Sequence, residues 1–241
     1  MTCRSACLHG AATAERAARA VAVVAGGPLV ACCHGILTNT TDISWCDRFE
    51  AWAWEQNPLV KVLKREYWAW PVPAINVWVR NRILARALAR EIYAFAIEGA
   101  GPISIVAHSN GADIALKAAH RLSALGVRLK ALVLLGAACE ADIVRSGVFA
   151  LVSGDGLDRA IAYSSEDDLA LRSALIWPFG RLGFTGWRLR GCTFHDARIF
   201  TRWYPGFGHG EYFSEGEREK TFDQVWRDCG LPYDVPMGGA R

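Results

Sequence analysis

The chain has 241 residues, of which 52% are hydrophobic and 21% are charged, and its formal net charge at pH 7 is +3. This length and composition are typical of one globular domain with a large core, and no repeat or low-complexity segment interrupts it. A net charge this small argues against a nucleic-acid partner.

Eight cysteines are scattered along the chain, at positions 3, 7, 32, 33, 46, 139, 192 and 229. They form no CxxC pair, and no Cys/His quartet has zinc-ligand spacing, so the sequence predicts no metal site. An even number of cysteines is compatible with disulfides but does not require them. We therefore expect a reducing compartment and a cytoplasmic location.

We interpret residues 1–27 as an N-terminal segment and predict that it is helical in part, in ATAERAARAVAVV. The apolar stretch 20–33 is shorter than the roughly 20 residues that span a bilayer, and a Gly-Gly-Pro turn at 26–28 interrupts it, so no stable membrane insertion is expected. The residues LVAC at 29–32 resemble a lipoprotein processing box. Cleavage there would delete a predicted strand, so an uncleaved chain is favoured over a lipoprotein or an ordinary secreted protein.

Apolar runs alternate with longer helical patterns along residues 28–241, which we interpret as one domain. The runs predict strands at 28–33, 65–70, 103–108, 130–137, 159–165 and 192–200. The helical patterns cover part of 45–63 and all of 76–98, 111–124 and 217–228, while the glycine-rich stretch 178–191 is interpreted as a loop. Strands that alternate with helices form parallel sheets, and parallel strands buried on both faces are apolar throughout. We therefore expect an α/β fold: a three-layer α/β/α sandwich with a mostly parallel sheet of about six to eight strands.

A serine occupies the junction between one predicted strand and the next helix. Residues 107–111, Ala-His-Ser-Asn-Gly, match the G-x-S-x-G pattern of a nucleophile elbow with alanine in the first place. Such a turn exposes the oxygen of Ser109 at the carboxyl end of the strand and directs the backbone N–H of Asn110 toward a developing oxyanion. The alternative interpretation is a buried serine in an ordinary turn, because so short a pattern also occurs by chance.

The partners that a nucleophilic serine needs follow it along the chain. A serine hydroxyl requires a base and a carboxylate that orients the base, in the chain order serine, acid, histidine. Asp168 is the favoured acid from its place after the strand 159–165, with Asp167 as the alternative, and either could instead cap the next helix. His209 is the favoured base because glycines flank it in the loop after the last predicted strand.

The remaining histidines are less suited to act as the base. His108 adjoins the serine, and its side chain should point away from the hydroxyl. The others lie in the N-terminal segment, on the helix after the serine and inside the last predicted strand, at His9, His120 and His195. His34 and Gly35 end the first predicted strand, and the loop that follows can supply a second oxyanion donor from the N–H of Ile36 or Leu37.

The stretches ACCHGI, VAHSNGA, YSSEDDLAL and GFGHGEYF together resemble the α/β-hydrolase-fold serine hydrolases, from about residue 28 to residue 228. The resemblance implies a triad of Ser109, Asp168 and His209, with oxyanion donors from Ile36 and Asn110. It also implies esterase-like or lipase-like hydrolysis of carboxylic or thio esters through an acyl-enzyme, without a cofactor.

Two further expectations concern the shape of the molecule. The helical N-terminal segment indicates that the first two strands of the family's eight-stranded sheet are missing or reduced, so six or seven strands are favoured. The interval from Ser109 to Asp168 has room for one strand and its helices, which predicts an open site without a large lid domain.

Three other functions stay open on the sequence. The first is a non-catalytic scaffold of the same fold that binds a ligand or partner, against which the complete serine–acid–histidine order argues. The second is an acyltransferase that uses the same triad and excludes water, and the third is a serine peptidase. The favoured partner is a small-molecule ester substrate.

Overall fold

The computed structural model describes residues 26–35, 44–65, 74–99, 101–173 and 180–233. The predicted helix of the N-terminal segment lies outside these residues, as do residues 66–70 of the predicted strand 65–70. None of the helices within the described ranges is both long enough and apolar enough to cross a bilayer.

Within the described ranges, six parallel strands form the central sheet, in the order β2-β1-β3-β4-β5-β8. Their bounds are Leu29–Cys33 (β1), Lys61–Arg65 (β2), Ile103–His108 (β3), Ala131–Leu135 (β4), Ala160–Ser164 (β5) and Ile199–Trp203 (β8). Every residue of β1, β4 and β5 is buried. This confirms the predicted parallel sheet, because strands that are covered on both faces need apolar side chains at every position.

A short antiparallel hairpin, β6 (Arg188–Leu189) and β7 (Cys192–Thr193), precedes the last strand. The helices are α1 (Trp45–Gln56), α2 (Ala74–Ile97), α3 (Gly111–Ala124), α4 (Val148–Ser153), α5 (Leu169–Ser173), α6 (Leu182–Thr185) and α7 (Arg218–Asp228), and a 3₁₀ turn covers Glu211–Phe213. Ser44 begins α1 through a capping box, since its hydroxyl accepts from the N–H of Asp47 while that carboxylate accepts from the N–H of Ser44.

Two hydrophobic cores cover the two faces of the sheet. Leu132 and Leu134 of β4 face one core together with α2 and α3, whereas Val133 and Leu135 face the other together with α1 and α7. Successive side chains of a strand point to opposite faces, so one apolar strand supplies both cores. The result is the three-layer α/β/α sandwich that the sequence predicted.

Three predicted elements differ from the observed ones. Strand β2 occupies Lys61–Arg65 and shares only Arg65 with the predicted strand 65–70, whose remaining residues lie outside the described ranges. The predicted strand 192–200 is two strands, β7 and β8, because the Asp196 carboxylate accepts from the N–H of Arg198 and closes a turn between them; His195 lies in this exposed turn and not inside a strand. The described part of the stretch 178–191, interpreted as a loop, contains α6 and β6.

The strand order reverses direction beside the predicted serine. The chain moves from β1 outward to β2 and then returns to β3 on the other side of β1. Open α/β sheets bind their ligands at such a switch point, outside the carboxyl ends of the strands. Here Cys33, the last residue of β1, pairs with Ala107, the residue before the end of β3.

Candidate active site

Ser109 lies in a strained turn between β3 and α3. Its φ angle is +55°, in the left-handed region that residues other than glycine avoid at a cost of roughly 1–2 kcal/mol. Backbone hydrogen bonds hold the turn: the N–H of Ser109 donates to Leu135 at 3.1 Å, and its carbonyl accepts from Ala112 and Ala138 at 3.1 and 3.0 Å. The turn therefore presents the serine side chain at the carboxyl edge of the sheet.

Two glycines let the chain pass close to this serine. A Cβ atom on Gly111 would lie 2.6 Å from the carbonyl oxygens of both Cys33 and His34. A Cβ atom on Gly35 would lie 2.6 Å from the Cβ of Ser109. The last glycine of the G-x-S-x-G pattern is thus required by the contact between α3 and the end of β1.

The Asn110 side chain links the turn to the neighbouring helix α2. Its amide exchanges two hydrogen bonds with Asn81, at 2.9 and 3.2 Å, and both side chains are buried. Asn81 also donates to the carboxylate of Asp113 at 2.8 Å. Asn81 was not predicted from the sequence, although a polar residue on an otherwise apolar stripe of a helix is a feature that could have drawn attention to the position.

The imidazole of His209 lies between the serine and a carboxylate. Its Nε2 is 2.8 Å from Ser109 Oγ, and its Nδ1 is 2.8 Å from Asp168 Oδ2. Because a carboxylate only accepts, Nδ1 carries the proton, and Nε2 is free to accept from the serine hydroxyl. This is the tautomer that a general base requires.

The two neighbouring aspartates have different partners. Asp168 is completely buried, and its second oxygen, Oδ1, accepts from the N–H of Leu171 at 3.0 Å. This carboxylate therefore contacts the imidazole and also caps α5, two roles that the sequence presented as alternatives. Asp167 is exposed and instead accepts from the N–H of Gly206 at 2.6 Å, in the loop that leads to His209.

His108 contacts His209. Its Nε2 lies 2.8 Å from the carbonyl oxygen of His209, and the centroids of the two rings are 4.9 Å apart. Burial lowers the pKa of His108 from 6.5 to about 4, and the neighbouring His209 contributes to the same decrease. His108 is therefore neutral at physiological pH.

The remaining candidate residues lie near the site or outside the described chain. Asn110 is the N-cap residue of α3, directly after Ser109. Ile36 and Leu37 fall in 36–43, outside the described residues, and the preceding Gly35 packs directly against Ser109. Among the described residues no group of three His, Cys, Asp or Glu side chains is arranged to hold a metal ion.

No family model and no curated protein matches this sequence. Solved structures do resemble it. The type II thioesterase BorB from the borrelidin biosynthetic cluster superposes with a TM-score of 0.50 at 16% identity, over 84% of this chain and 93% of BorB. An esterase of Pyrobaculum calidifontis gives a TM-score of 0.50 at 17% identity, over 84% of this chain and 76% of the esterase.

A third similar structure is an uncharacterized protein from Bacillus cereus ATCC 10987, with a TM-score of 0.50 and 9% identity. The match covers 84% of this chain and 59% of the Bacillus protein, so this chain spans less than two thirds of that protein. At these identities the likeness concerns the fold. Together with the six-stranded parallel sheet and its order, it shows that the chain has the α/β-hydrolase fold.

Proposed function

We propose that the chain is a serine hydrolase that cleaves carboxylic or thio esters through an acyl-enzyme intermediate. Ser109 is the nucleophile, His209 the general base and Asp168 the residue that orients the base. The backbone N–H groups of Asn110 and Ile36 stabilise the oxyanion.

The observation that carries the proposal is the continuous hydrogen-bond chain from Ser109 Oγ through both nitrogens of His209 to Asp168, with 2.8 Å at each step. Two further features support it. The serine has the strained conformation of a nucleophile elbow, and the acid is fully buried, where a carboxylate pairs most strongly with an imidazolium.

The chemistry follows from these positions. Ser109 Oγ attacks the carbonyl carbon of the ester while its proton passes to Nε2 of His209. The tetrahedral oxyanion accepts hydrogen bonds from the two backbone N–H groups and then collapses, and His209 gives its proton to the departing alcohol or thiol. Water then attacks the acyl-enzyme by the same steps and releases the acid and the free serine.

The substrate class is proposed from the chemistry of the site and from two similar structures. An esterase and a thioesterase are among them, and a serine nucleophile with an oxyanion hole suits both kinds of acyl group. We therefore propose a small-molecule ester or thioester as the substrate.

The test is hydrolysis of p-nitrophenyl esters of several acyl lengths and of matched acyl thioesters. Ser109→Ala and His209→Ala should reduce kcat by a factor of roughly a thousand or more, and Asp168→Asn should have an effect of similar order because it disturbs the tautomer of the base. Asp167→Asn is the matched control, since an amide oxygen can still accept from Gly206, and it should retain most of the activity.

A fluorophosphonate probe supplies the second measurement, because it labels an activated serine without depending on the choice of substrate. Wild-type protein should be labelled at Ser109, and the His209→Ala variant should not. Ester turnover that survives Ser109→Ala would contradict the assignment of the nucleophile. Folded wild-type protein that neither turns over esters nor takes the label would favour the ligand-binding scaffold, whereas acyl transfer to added alcohols in preference to water would favour the acyltransferase.

A further inference from the structure

The loop that carries His209 contains three glycines, at positions 206, 208 and 210, and side chains hold its backbone. Asp167 accepts from Gly206 at 2.6 Å, Glu211 accepts from Gly208 at 2.7 Å, and His108 donates to the His209 carbonyl at 2.8 Å. Of these three contacts, the one from His108 is made to the peptide group of His209 itself. It is therefore the contact that acts most directly on the position of the imidazole.

His108 is also the residue that precedes Ser109, so this hydrogen bond joins the backbone of the serine turn to the backbone of the histidine loop. A carbonyl oxygen only accepts, which requires the proton of neutral His108 to be on Nε2. This hydrogen bond joins two uncharged groups. It is a second link between the serine turn and His209, in addition to the direct contact between Ser109 Oγ and His209 Nε2.

The surroundings of His108 restrict the movement of its ring. The ring of Phe213 meets it edge-on at 5.0 Å, and Trp45 stacks on Phe213 at 4.8 Å. A Cβ atom on Gly35 would come within 3.5 Å of Nδ1, and a Cβ atom on Gly136 within 3.5 Å of Nε2. The imidazole thus fills the space between the ends of β1 and β4.

We propose that His108 is a positioning residue, which holds the imidazole of His209 at hydrogen-bond distance from the Ser109 hydroxyl. The inference rests on the proposed function, in which His209 takes the serine proton. A loop rich in glycine has many accessible backbone conformations, and one fixed hydrogen bond to the backbone carbonyl of His209 reduces their number. A displacement of the base by about 1 Å is enough to cost up to roughly 100-fold in rate.

The test compares His108→Leu, which removes the donor, with His108→Gln, whose side-chain amide retains a donor near the place of Nε2. His120 provides the matched control. Its Nε2 also donates to a backbone carbonyl, that of Ser146 at 2.9 Å, and its ring is also partly buried, but it lies on α3 with no contact to His209. The same two substitutions are made there, and all variants are checked for folding by far-UV circular dichroism.

His108→Leu should lower kcat for ester hydrolysis by roughly 10- to 100-fold and leave KM within about a factor of two. His108→Gln should recover kcat to within a few-fold of wild type, and both His120 variants should have the wild-type kcat. If His108→Leu does not fold, His108→Asn replaces it, because the shorter amide does not reach the carbonyl. A wild-type kcat in the Leu or Asn variant, or an equal loss in the Gln variant, would overturn the proposal.

A second readout does not depend on turnover. In protein labelled with ¹⁵N-histidine, the proton on Nδ1 of His209, which is bonded to Asp168, should give a resonance that is shifted or lost in His108→Leu and retained in His108→Gln and in both His120 variants. If kcat falls while this resonance is unchanged, positioning is not the cause and the inference is wrong. If wild-type protein has no esterase activity, the proposed function fails, and the same resonance still decides whether His108 orders the loop.

Discussion

Backbone hydrogen bonds hold Ser109 in its left-handed conformation. Its N–H and its carbonyl bond to residues at the end of β4 and in the first turn of α3. Gly35 and Gly111 let β1 approach to within contact of the turn. At the scale of single residues, the site thus depends on two glycines as much as on the side chains that react.

Replacing Gly111 with alanine tests this dependence. Alanine is the better helix former by about 1 kcal/mol, so a helix considered alone would be stabilised. Here the new methyl group would meet the carbonyl oxygens of Cys33 and His34 at 2.6 Å, and we expect a net loss of about 1–3 kcal/mol in the free energy of unfolding. Urea denaturation followed by tryptophan fluorescence measures the loss.

Gly216→Ala is the control for this substitution, because a Cβ atom there has no neighbour within 4 Å. Its free energy of unfolding should stay within about 0.5 kcal/mol of wild type. Equal effects of the two substitutions would mean that the contact between α3 and β1 is not the constraint.

His108 makes a second residue-scale prediction, on pH. Its pKa is lowered from 6.5 to about 4 by burial, and His209, His34 and the carboxylate of Asp168 are the titratable groups that act on it. Above pH 6.5 neither the folded nor the unfolded state protonates this histidine. Between pH 6.5 and 4 the unfolded state binds a proton that the folded state does not, so the stability of the fold decreases as the pH falls, by at most about 1.4 kcal/mol per pH unit.

The measurement is the urea midpoint at pH 7 and pH 5 for wild type and His108→Gln. The wild-type midpoint should fall between the two values, and the variant should lose less because glutamine does not titrate. The hydrogen bond from Lys64 lowers the pKa of Asp47, so this carboxylate affects the stability mainly below the range from pH 7 to pH 5. The same decrease in both proteins would contradict the role given to His108.

The sequence indicated which residue types to look for in the site, and the folded chain supplied their contacts. Chain order and loop position pointed to Ser109, Asp168 and His209, and the structure has their side chains within hydrogen-bond distance. The roles of Asn81 and His108 were not predicted, since each bonds to a residue 29 or 101 positions away and no local pattern records such a contact.

At the scale of elements, the last strand, β8, is fixed to the last helix, α7, by one buried carboxylate. Asp228 accepts two hydrogen bonds from the guanidinium of Arg202, at 2.7 and 2.6 Å, and one from the hydroxyl of Tyr163 at 2.7 Å. Only 3% of Asp228 is exposed. Because β8 leads directly into the loop of His209, this cluster helps to fix the position at which that loop begins.

Asp228→Ala should therefore destabilise the fold by about 2–4 kcal/mol, since it leaves the Tyr163 hydroxyl buried without this partner and the Arg202 charge without its carboxylate. Asp223→Ala on the same helix removes an exposed pair with Arg227 and an exposed hydrogen bond from the Tyr233 hydroxyl, and it should cost about 1 kcal/mol or less. Thermal or urea unfolding of the two variants distinguishes the effects. A loss at Asp228 no larger than that at Asp223 would show that the buried cluster adds little.

The bounds of a strand were predicted accurately where the strand is buried inside the sheet. Strands β1, β3, β4 and β5 lie inside the sheet, and their apolar runs had the observed bounds to within two residues. Residues 61–64 of the edge strand β2 were not predicted, and the edge strand β8 was predicted to begin too early, because an edge strand is partly exposed and does not need an apolar residue at every position. Strand β2 has the sequence Lys-Val-Leu-Lys-Arg, in which only two residues are apolar. The turn before β8 was not predicted because residues 192–200 have a continuous β-like sequence.

At the scale of the whole molecule, thiol accessibility reports on the packing of both cores. Five of the six cysteines among the described residues are buried, namely Cys32, Cys33, Cys46, Cys139 and Cys229, whereas Cys192 is exposed in the hairpin. Burial raises the pKa of Cys33 and Cys139 well above the usual range and that of Cys229 to about 12. Neutral, enclosed thiols react slowly with alkylating reagents.

Brief alkylation of the native protein should therefore modify Cys192 and leave those five buried thiols unmodified until urea unfolds the chain. Peptide mass spectrometry identifies the modified positions, and Cys192→Ser serves as the control. Rapid native modification of Cys33 or Cys139 would show that the sheet opens readily under native conditions.

The single direction of the six strands also sorts the loops of the molecule into two sets. Those that follow strands contribute Ser109, Asp168 and His209, and those that precede strands lie at the opposite edge. One of the latter holds Gly126, in the turn before β4, where φ is +77° and a Cβ atom would have no neighbour within 4 Å. A resin, a dye or a fused domain attached at this turn would leave the edge that carries Ser109 unobstructed, so the fold offers a point of immobilisation at the opposite edge of the sheet.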